Sequence, residues 1–94
     1  MYVTIWERKC FLYTTSGEKI VEDKIGSIYE QLSNDKFVYS HKRYIVNLMY
    51  VNKYDNQSVI LKYKEILYNV HMSRRMYPEF KRKFTLFARG WVWY

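Results

Sequence analysis

Short runs of β-branched and aromatic residues alternate with polar turn residues along most of this chain. The clearest example is the pair Ser58–Tyr63 and Ile66–Val70, which flanks the turn residues Lys64-Glu65. An earlier turn, Asp55-Asn56-Gln57, links this pair to an apolar run that ends at Val51. Runs of about four to eight such residues, bounded by turn residues, are typical of β-strands. The chain therefore predicts an antiparallel meander of three strands in its second half.

The first third of the chain predicts three further strands followed by a short helix. The expected strands are Tyr2–Trp6, Lys9–Thr15 and Glu18–Glu22, with Ser16-Gly17 as the turn between the last two. After them, Ile25, Ile28 and Leu32 recur at the spacing of one helical face. Asp23 precedes this helix and is its expected N-cap, because a short carboxylate can accept hydrogen bonds from the free N–H groups of a first turn.

The run Tyr44–Val51 is the most apolar of the chain and is too long for one alternating strand. We expect a bend or helical turn near its start and a strand toward its end, with Phe37–Tyr39 as a short strand before it. Asn47 lies inside this run. Its side chain is expected to bond backbone groups at the bend rather than a base, since Asn competes well for local backbone partners.

A basic amphipathic helix is expected near the C-terminus. Its apolar face is formed by Met76, Phe80 and Phe84, and the basic run Lys81-Arg82-Lys83 falls on other faces. Pro78 fits the first turn, where its missing N–H is harmless. Gly90 is expected to separate this helix from the aromatic tail Trp91–Tyr94, which should pack on the domain or on a partner.

The composition narrows the class of protein. Aromatic residues make up 20% of the 94 residues, while Gly and Pro number three and one, which favours a mainly β domain over residues 1–94. Cys10 is the only cysteine, so an intrachain disulfide and a multi-cysteine zinc site are excluded, and we expect it to be a small core residue. The chain carries no bilayer-length apolar stretch and no signal-peptide core, which fits a soluble protein of the reducing cytoplasm.

The positive charge is concentrated in the second part of the chain. The formal net charge is +7; residues 1–40 hold five Lys/Arg against six Asp/Glu, and residues 41–94 hold eleven against three. Such a concentration predicts a polyanionic partner, because phosphates neutralised by Lys and Arg release condensed counterions. Charge alone is equally compatible with a basic surface that only keeps the protein in solution.

Two ordered segments resemble the signatures of the LytTR family of DNA-binding domains. The run Phe37–Val51, FVYSHKRYIVNLMYV, resembles the family segment F-x-x-x-H-R-S-Y-I-V-N-L-x-x-I, and Val70–Tyr77, VHMSRRMY, resembles its V-S-R-R/Y segment. Tyr2-Val3-Thr4 occupies the place of the family's Y-I-E, and residues 16–32 match its turn, strand and short helix. The resemblance covers nearly the whole chain.

This resemblance implies a fold, a partner and a set of contacts. The expected fold is an elongated arrangement of antiparallel β-sheets with one or two short helices, and the expected partner is double-stranded DNA. Loops, rather than a helix, would enter successive major grooves. The base-reading candidates are Lys9 or its neighbour Arg8 in the first loop, Lys42 in the second and Arg74 in the third. The whole predicted DNA-binding set is Arg8, Lys9, His41, Lys42, Arg43, Ser73, Arg74 and Arg75.

The resemblance further implies a transcription regulator that binds direct-repeat sites as two copies side by side and needs no cofactor. Members usually follow a phosphoacceptor receiver domain, so a receiver domain or other signalling partner is expected. Three features depart from the family pattern. This sequence starts almost at the Y-I-E position, carries Lys42-Arg43 where members usually have Arg-Ser, and contains no receiver domain. The last departure is expected of an excised domain or of a regulator without its own receiver.

The chemistry of the candidate residues supports this assignment. An Arg guanidinium can bond both acceptors on a guanine edge, and Lys can reach the same atoms as a point charge. His41 is expected to position the second loop or to touch a phosphate. Ser73 is more readily explained as a local cap than as a phosphate donor. The run Lys81-Arg82-Lys83 could contact phosphates or form a solvated helical face.

The same residues bear on other classes of function. Two histidines, one cysteine and no paired carboxylates near them provide no triad, metal cluster or phosphate loop, so we expect no enzyme, including a nuclease built on His41 and Arg43. Aromatic residues among basic ones would also suit a domain that binds single-stranded nucleic acid. A protein-interaction domain that binds through Trp91–Tyr94 is the third alternative.

Overall fold

The computed structural model describes residues 1–6, 9–32 and 35–92. It contains two antiparallel sheets, two α-helices and one 3-10 turn. In chain order the elements are β1 (Tyr2–Trp6), β2 (Lys9–Thr14), β3 (Gly17–Val21), α1 (Ile25–Gln31), β4 (Phe37–His41), β5 (Tyr44–Asn47), the 3-10 turn (Leu48–Tyr50), β6 (Val51–Tyr54), β7 (Ser58–Tyr63), β8 (Ile66–His71) and α2 (Tyr77–Val92). The predicted mainly β, antiparallel architecture is confirmed, and the described chain measures 39 × 30 × 24 Å along its principal axes.

The first sheet has five strands in the order β3-β2-β1-β5-β4. Because side chains alternate between the two faces of a strand, Val3, Cys10 and Ile45 share one face. Helix α1 covers this face with Ile28, and the four residues form a buried cluster. Cys10 is fully buried, as expected, and its thiol donates to the carbonyl oxygen of Asp23 at 3.1 Å.

The second sheet has three strands in the order β6-β7-β8 and packs with α2 against the other face of the β4–β5 pair. The larger buried cluster lies here and consists of Val38, Val46, Leu48, Val59, Leu61, Val70, Met72 and Phe80. Phe80 is the largest fully buried side chain among the described residues, and burial of a side chain of that size stabilises the fold by about 1.5–3 kcal/mol. The β4–β5 pair is therefore buried on both faces and links the two sheets.

The prediction for Tyr44–Val51 is confirmed for the strand toward its end, because β6 begins at Val51, but it is wrong in placing the helical turn near the start. Strand β5 comes first, and the helical turn follows at Leu48–Tyr50. Ile45 and Val46 are both fully buried, one in each cluster, so the alternation that marks a half-buried strand is absent from this segment. The prediction for Asn47 is confirmed, because its Oδ1 accepts from the backbone N–H of Met49 at 2.9 Å and caps the turn.

Both helices also depart from their predicted ends. Lys24, not Asp23, is the N-cap of α1, and it makes no side-chain capping bond. The Asp23 side chain instead accepts from the Lys24 backbone N–H at 2.8 Å. Helix α2 starts at Tyr77 with Pro78 in its first turn, as predicted, but it continues through Gly90 to Val92. One glycine costs a helix only about 1 kcal/mol relative to alanine, so Gly90 does not end α2.

The apolar face of α2 packs as expected, with Phe80, Phe84 and Phe87 against the larger cluster. The end of the aromatic tail, residues 93–94, lies outside the described residues. Among the described helices, none combines the length and apolar character that a membrane span requires.

Candidate nucleic-acid interface

One end of the first sheet gathers the ends of four strands. Trp6, the last residue of β1, pairs with Lys9, the first residue of β2. On the other side of β1, Tyr44 at the start of β5 lies opposite Thr4, and His41 at the end of β4 pairs with Tyr44. We call this end of the sheet, where β1 and β4 finish and β2 and β5 begin, the loop end. The β1–β2 connection and the β4–β5 turn both leave from it.

The first loop lies between β1 and β2. Arg8, one of its predicted contacts, lies outside the described residues. Lys9 is described and is exposed at the start of β2. The structure therefore places the positive charge of Lys9 at the loop end, where the first loop enters β2.

The second loop is the turn Lys42-Arg43, and two hydrogen bonds hold its backbone. The N–H of Arg43 donates to Nδ1 of His41 at 3.1 Å, and the N–H of Ile5 on β1 donates to the carbonyl oxygen of Arg43 at 3.2 Å. The side chains of Lys42 and Arg43 are both exposed. A fixed backbone with projecting cations results, which is the arrangement that lets a loop present side chains to a ligand.

The third loop, which joins β8 to α2, is fastened to the end of β4. The N–H of Ser73 donates to the carbonyl oxygen of Ser40 at 2.7 Å, and the Ser40 hydroxyl donates to the carbonyl oxygen of His71 at 2.9 Å. Ser40 is fully buried, and the rings of His41 and His71 meet edge to face with centroids 4.9 Å apart. These contacts bring the third loop to the loop end beside the second.

Ser73 also organises the turn that leads into α2. Its hydroxyl accepts from the N–H of Met76 at 3.2 Å, and its carbonyl oxygen accepts from the N–H of Tyr77 at 3.1 Å. The predicted local capping role of Ser73 is therefore present. Arg74 and Arg75 follow it in the turn and are both exposed.

The cations of the loop end have no acidic counterpart among the described residues. The ion pair of Arg82 with Glu79 lies on α2, and none of the carboxylates in residues 1–6, 9–32 and 35–92 forms an ion pair with a described cation of the loop end. The exposed cations at the loop end are Lys9, Lys42, Arg43, Arg74 and Arg75. Their charges are thus available to an anionic ligand.

His41 is held in its neutral form by its surroundings. Because a backbone N–H can only donate, the Nδ1 atom that receives the Arg43 bond is an unprotonated acceptor. Partial burial lowers the pKa of His41, and the neighbouring His71, Lys42 and Arg43 lower it further. The structure therefore gives His41 the loop-positioning contact expected of it.

The basic run on α2 does not act as a unit. The ammonium group of Lys83 donates to the Tyr29 hydroxyl at 3.2 Å and to the carbonyl oxygen of Phe37 at 3.3 Å, so it ties α2 to α1 and to the start of β4. Arg82 pairs with Glu79, and Lys81 is exposed without a partner among the described residues. Phe37 is the end of β4 remote from His41, so Lys83 lies away from the loop end.

Most described aromatic rings are engaged with one another. Tyr54 contacts three rings of α2, and Tyr2 stacks on Tyr13 with centroids 4.6 Å apart. Burial, followed by the neighbouring hydroxyls of Tyr13, Tyr44 and Tyr68, raises the pKa of Tyr2 to about 12. A shallow depression of about 350 Å³ remains open beside the second loop, lined by Thr4, Ile5, Phe11, Tyr13, Arg43 and Tyr44.

Two residues of the loop end were not singled out from the sequence. Ser40 and His71 connect the second and third loops, and each looks like an ordinary surface residue when read alone. No local signal identifies Ser40, because it falls at the register irregularity between Tyr39 and His41, where the regular pairing of β4 with β5 is interrupted. Among the described residues, no cluster of three or more His, Cys, Asp or Glu side chains could hold a metal ion.

Comparisons with known proteins agree with this fold. A family model described as the LytTr DNA-binding domain matches residues 1–85. Among solved structures, the chain is similar to the LytTr DNA-binding domain of a Bacillus cereus protein described as a methyl-accepting/DNA response regulator, with a TM-score of 0.70 and 16% identity over 88% of this chain and 78% of that one. A search of curated proteins gave no match. At that identity the structural likeness concerns the fold alone.

Proposed function

The chain belongs to the LytTR family, whose domains are the DNA-binding domains of transcription regulators, and from this we propose that it reads specific duplex sequences through its loop end. In this proposal the three loops, rather than a recognition helix, insert into successive major grooves. The domain would act as a regulator of transcription in the cytoplasm.

The observation that carries the proposal is the convergence of the second and third loops. The Ser73–Ser40 hydrogen bond of 2.7 Å and the His41–His71 ring contact hold the two loops against neighbouring strand ends. Duplex DNA presents a phosphate charge about every 1.7 Å of helix axis, so a cluster of cations that pairs with none of the described carboxylates suits it. The firm backbone supports base reading, because base-edge contacts need donors held in one geometry.

We assign different roles to the candidate residues. Lys42 and Arg74, at the tips of the second and third loops, are the base readers, together with Arg8 or Lys9 in the first loop. Arg43 and Arg75 are assigned to phosphates, which fix the register of a protein on DNA without carrying sequence information. His41 and Ser73 are positioning residues, because their described bonds go to the loop backbones.

The family membership also motivates a wider proposal about assembly. Two copies would bind side by side on direct-repeat half-sites, and a receiver domain or other signalling partner would control them. Two domains bound on the same face of the duplex would need two half-sites whose centres lie about one helical turn apart.

Selection of bound duplexes from a random pool tests the proposal directly. We expect the bound duplexes to share a reproducible motif made of two repeated half-sites. A bound pool in which no motif is enriched would contradict sequence-specific binding. With the selected duplex, Arg74→Ala should weaken binding by about 1–3 kcal/mol and relax the preference at one base position.

Lys62→Ala is the matched control for Arg74→Ala, since it also removes one exposed cation. Lys62 lies on β7 near the turn remote from Ser58 and His71, so its loss should leave the motif unchanged. If Arg74→Ala weakens every duplex equally, Arg74 is a phosphate contact and its assignment to a base is wrong.

The open depression beside Arg43 favours a second candidate, binding of single-stranded nucleic acid. Phe11, Tyr13 and Tyr44 line it, and unpaired bases stack on such rings. Competition separates the two functions. Unlabelled single strands should displace the selected duplex poorly if the loops read grooves, and strong displacement that Phe11→Ala abolishes would favour the alternative.

A further inference from the structure

The outward face of α2 carries a continuous row of side chains that the fold does not use. Residues of this row, which we call the outer stripe, recur at the spacing of one helical face and border a shallow open depression of about 410 Å³: Pro78, Lys81, Arg82, Thr85, Leu86 and Arg89. The opposite face, with Phe80 and Phe84, is packed in the larger cluster. The outer stripe is thus an unpartnered helical face in the described chain.

Leu86 gives the outer stripe an apolar centre. Its exposed fraction is 53%, and Pro78 and the aliphatic stem of Lys81 extend the apolar surface toward the start of α2. A helix that needs only its inner face for the core could carry a charged residue at position 86 without cost. A leucine there, set between cations, suits a contact that is apolar in the middle and polar at the rim.

The outer stripe leads away from the loop end. Helix α2 starts next to Ser40, at the end of β4 that belongs to the loop end, and by Lys83 it has reached Phe37 at the other end of the strand. Leu86 and Arg89 come one to two helical turns later. A duplex bound at the loop end would therefore not cover the second half of the outer stripe.

The charge of the outer stripe selects among protein partners. Lys81 and Arg89 meet no carboxylate in the part of the chain that is described, and the Arg82–Glu79 pair is more than half exposed, so it contributes little and is easily exchanged. A second copy packed stripe to stripe would oppose cation to cation. An acidic partner would instead satisfy all three cations.

We propose that the outer stripe docks an acidic amphipathic helix of a partner protein. Apolar side chains of that helix would cover Leu86 and Pro78, and its carboxylates would meet Lys81, Arg82 and Arg89. A helix is the fitting shape because side chains spaced by three and four residues form ridges that interlock with those of another helix. Such docking would leave the loop end free, so a signal could reach the domain while it is bound to DNA.

The test uses two synthetic peptides and the full chain labelled with ¹⁵N. One peptide is a helix of Leu and Glu in heptad spacing, and the other has Lys in place of every Glu. The acidic peptide should shift the amide signals of Lys81, Arg82, Thr85, Leu86 and Arg89, while the basic peptide should bind at least about tenfold more weakly. Equal binding of both peptides, no binding, or shifts confined to the loop end would overturn the proposal.

Matched variants localise the contact. Leu86→Ser should weaken the acidic peptide about tenfold, whereas Leu67→Ser, which removes a leucine of 59% exposure at the β7–β8 turn, should not. Both sites are exposed, so both variants should fold, which circular dichroism checks. Leu86→Ser should also leave affinity for the selected duplex unchanged. If Leu86→Ser lowers the affinity for the duplex, the outer stripe is a DNA contact. If the wild-type chain sediments as a dimer and the Leu86→Ser variant as a monomer, the outer stripe is a self-association surface. Either result contradicts the proposal.

Discussion

The second and third loops both present cations at the loop end, but different chemistry holds them. The backbone of the second loop is tied to Nδ1 of the His41 imidazole, an acceptor that protonation would remove. The third loop is tied through Ser73 to the backbone of β4 and to its own following turn by hydrogen bonds between groups that do not titrate, and the ring of His71 at its start also meets the ring of His41. The hydrogen bond that holds the second loop therefore depends on protonation, whereas the bonds made by Ser73 do not.

This difference teaches how a mainly β domain can hold exposed loops in a fixed geometry. Each loop is anchored at its base by a residue other than the cation that it presents. Ser40 directly precedes His41, the anchor of the second loop, and it also holds the third loop. Its carbonyl oxygen accepts from the Ser73 N–H, and its hydroxyl donates to the carbonyl oxygen of His71. Loss of a cation and loss of an anchor should therefore have separable effects on affinity and on stability.

The largest expected effect comes from removing the two proposed base readers, Lys42 and Arg74, together. Lys42→Ala and Arg74→Ala should each cost about 1–3 kcal/mol of specific binding, and the double variant should cost the sum, because separate loops read separate base pairs. Titration of the selected duplex with the four proteins measures this cycle. A double variant no worse than the worse single variant would show that the two loops share one contact.

The next largest effect is expected at the shared anchor. Ser40→Ala removes the fully buried hydroxyl that donates to the carbonyl oxygen of His71, and loss of such a bond should lower the free energy of unfolding by about 1–3 kcal/mol. Urea denaturation measures it. Ser58→Ala, whose hydroxyl makes no described hydrogen bond, should change stability by less than about 0.5 kcal/mol. Equal stability of the Ser40 and Ser58 variants would show that the Ser40 hydroxyl does not stabilise the fold.

The anchor of the third loop should matter somewhat less. Ser73→Ala removes the bond to the Met76 N–H, and loss of such a capping bond costs about 1 kcal/mol. Ser73→Thr keeps a hydroxyl at the same atom position and should restore most of the stability. Urea denaturation of both variants is the measurement, and a threonine variant as weak as the alanine variant would argue against the cap.

The smallest effect concerns pH and separates the two loops. Burial and then His71, Lys42 and Arg43 hold the pKa of His41 below its usual 6.5, so the folded chain binds fewer protons there than the unfolded chain. Stability from this group is then complete above pH 6.5 and is lost as the pH falls from 6.5 toward the folded-state pKa. Unfolding measured over this range should show a shallower slope for His41→Gln than for wild type, while Ser73→Ala should keep the wild-type slope. Stability that rises on acidification in the wild type would reverse the sign that we assign.

Sequence reasoning recovered the elements whose pattern is local. Strands β7 and β8 and the turn at Lys64-Glu65 follow from alternating apolar residues and turn chemistry, and Lys64 indeed has a positive φ of 56°. The helical spacing of Ile25, Ile28 and Leu32 likewise predicted α1.

The parts that failed depend on long-range packing. Ile45 and Val46 are buried in different clusters, so the order of strand and turn after Tyr44 is fixed by contacts that no local pattern reveals. The Asp23 carbonyl oxygen accepts from the Cys10 thiol on β2 and its side chain bonds the Lys24 backbone N–H, while Lys24 occupies the N-cap position. For the interface, paired cations were visible in the sequence, but the connection through Ser40 needs the fold, because residues 40 and 71 are 31 positions apart.

The central claim is that the loop end is the surface that meets DNA. Backbone amide NMR of the ¹⁵N-labelled chain, titrated with the selected duplex, tests it most directly. We predict that the amides of Cys10, Lys42, Arg43, Arg74 and Arg75 shift, and that those of residues 62–67 at the far turn of the second sheet stay in place. Shifts centred on that far turn or on the outer stripe, with a silent loop end, would contradict the claim.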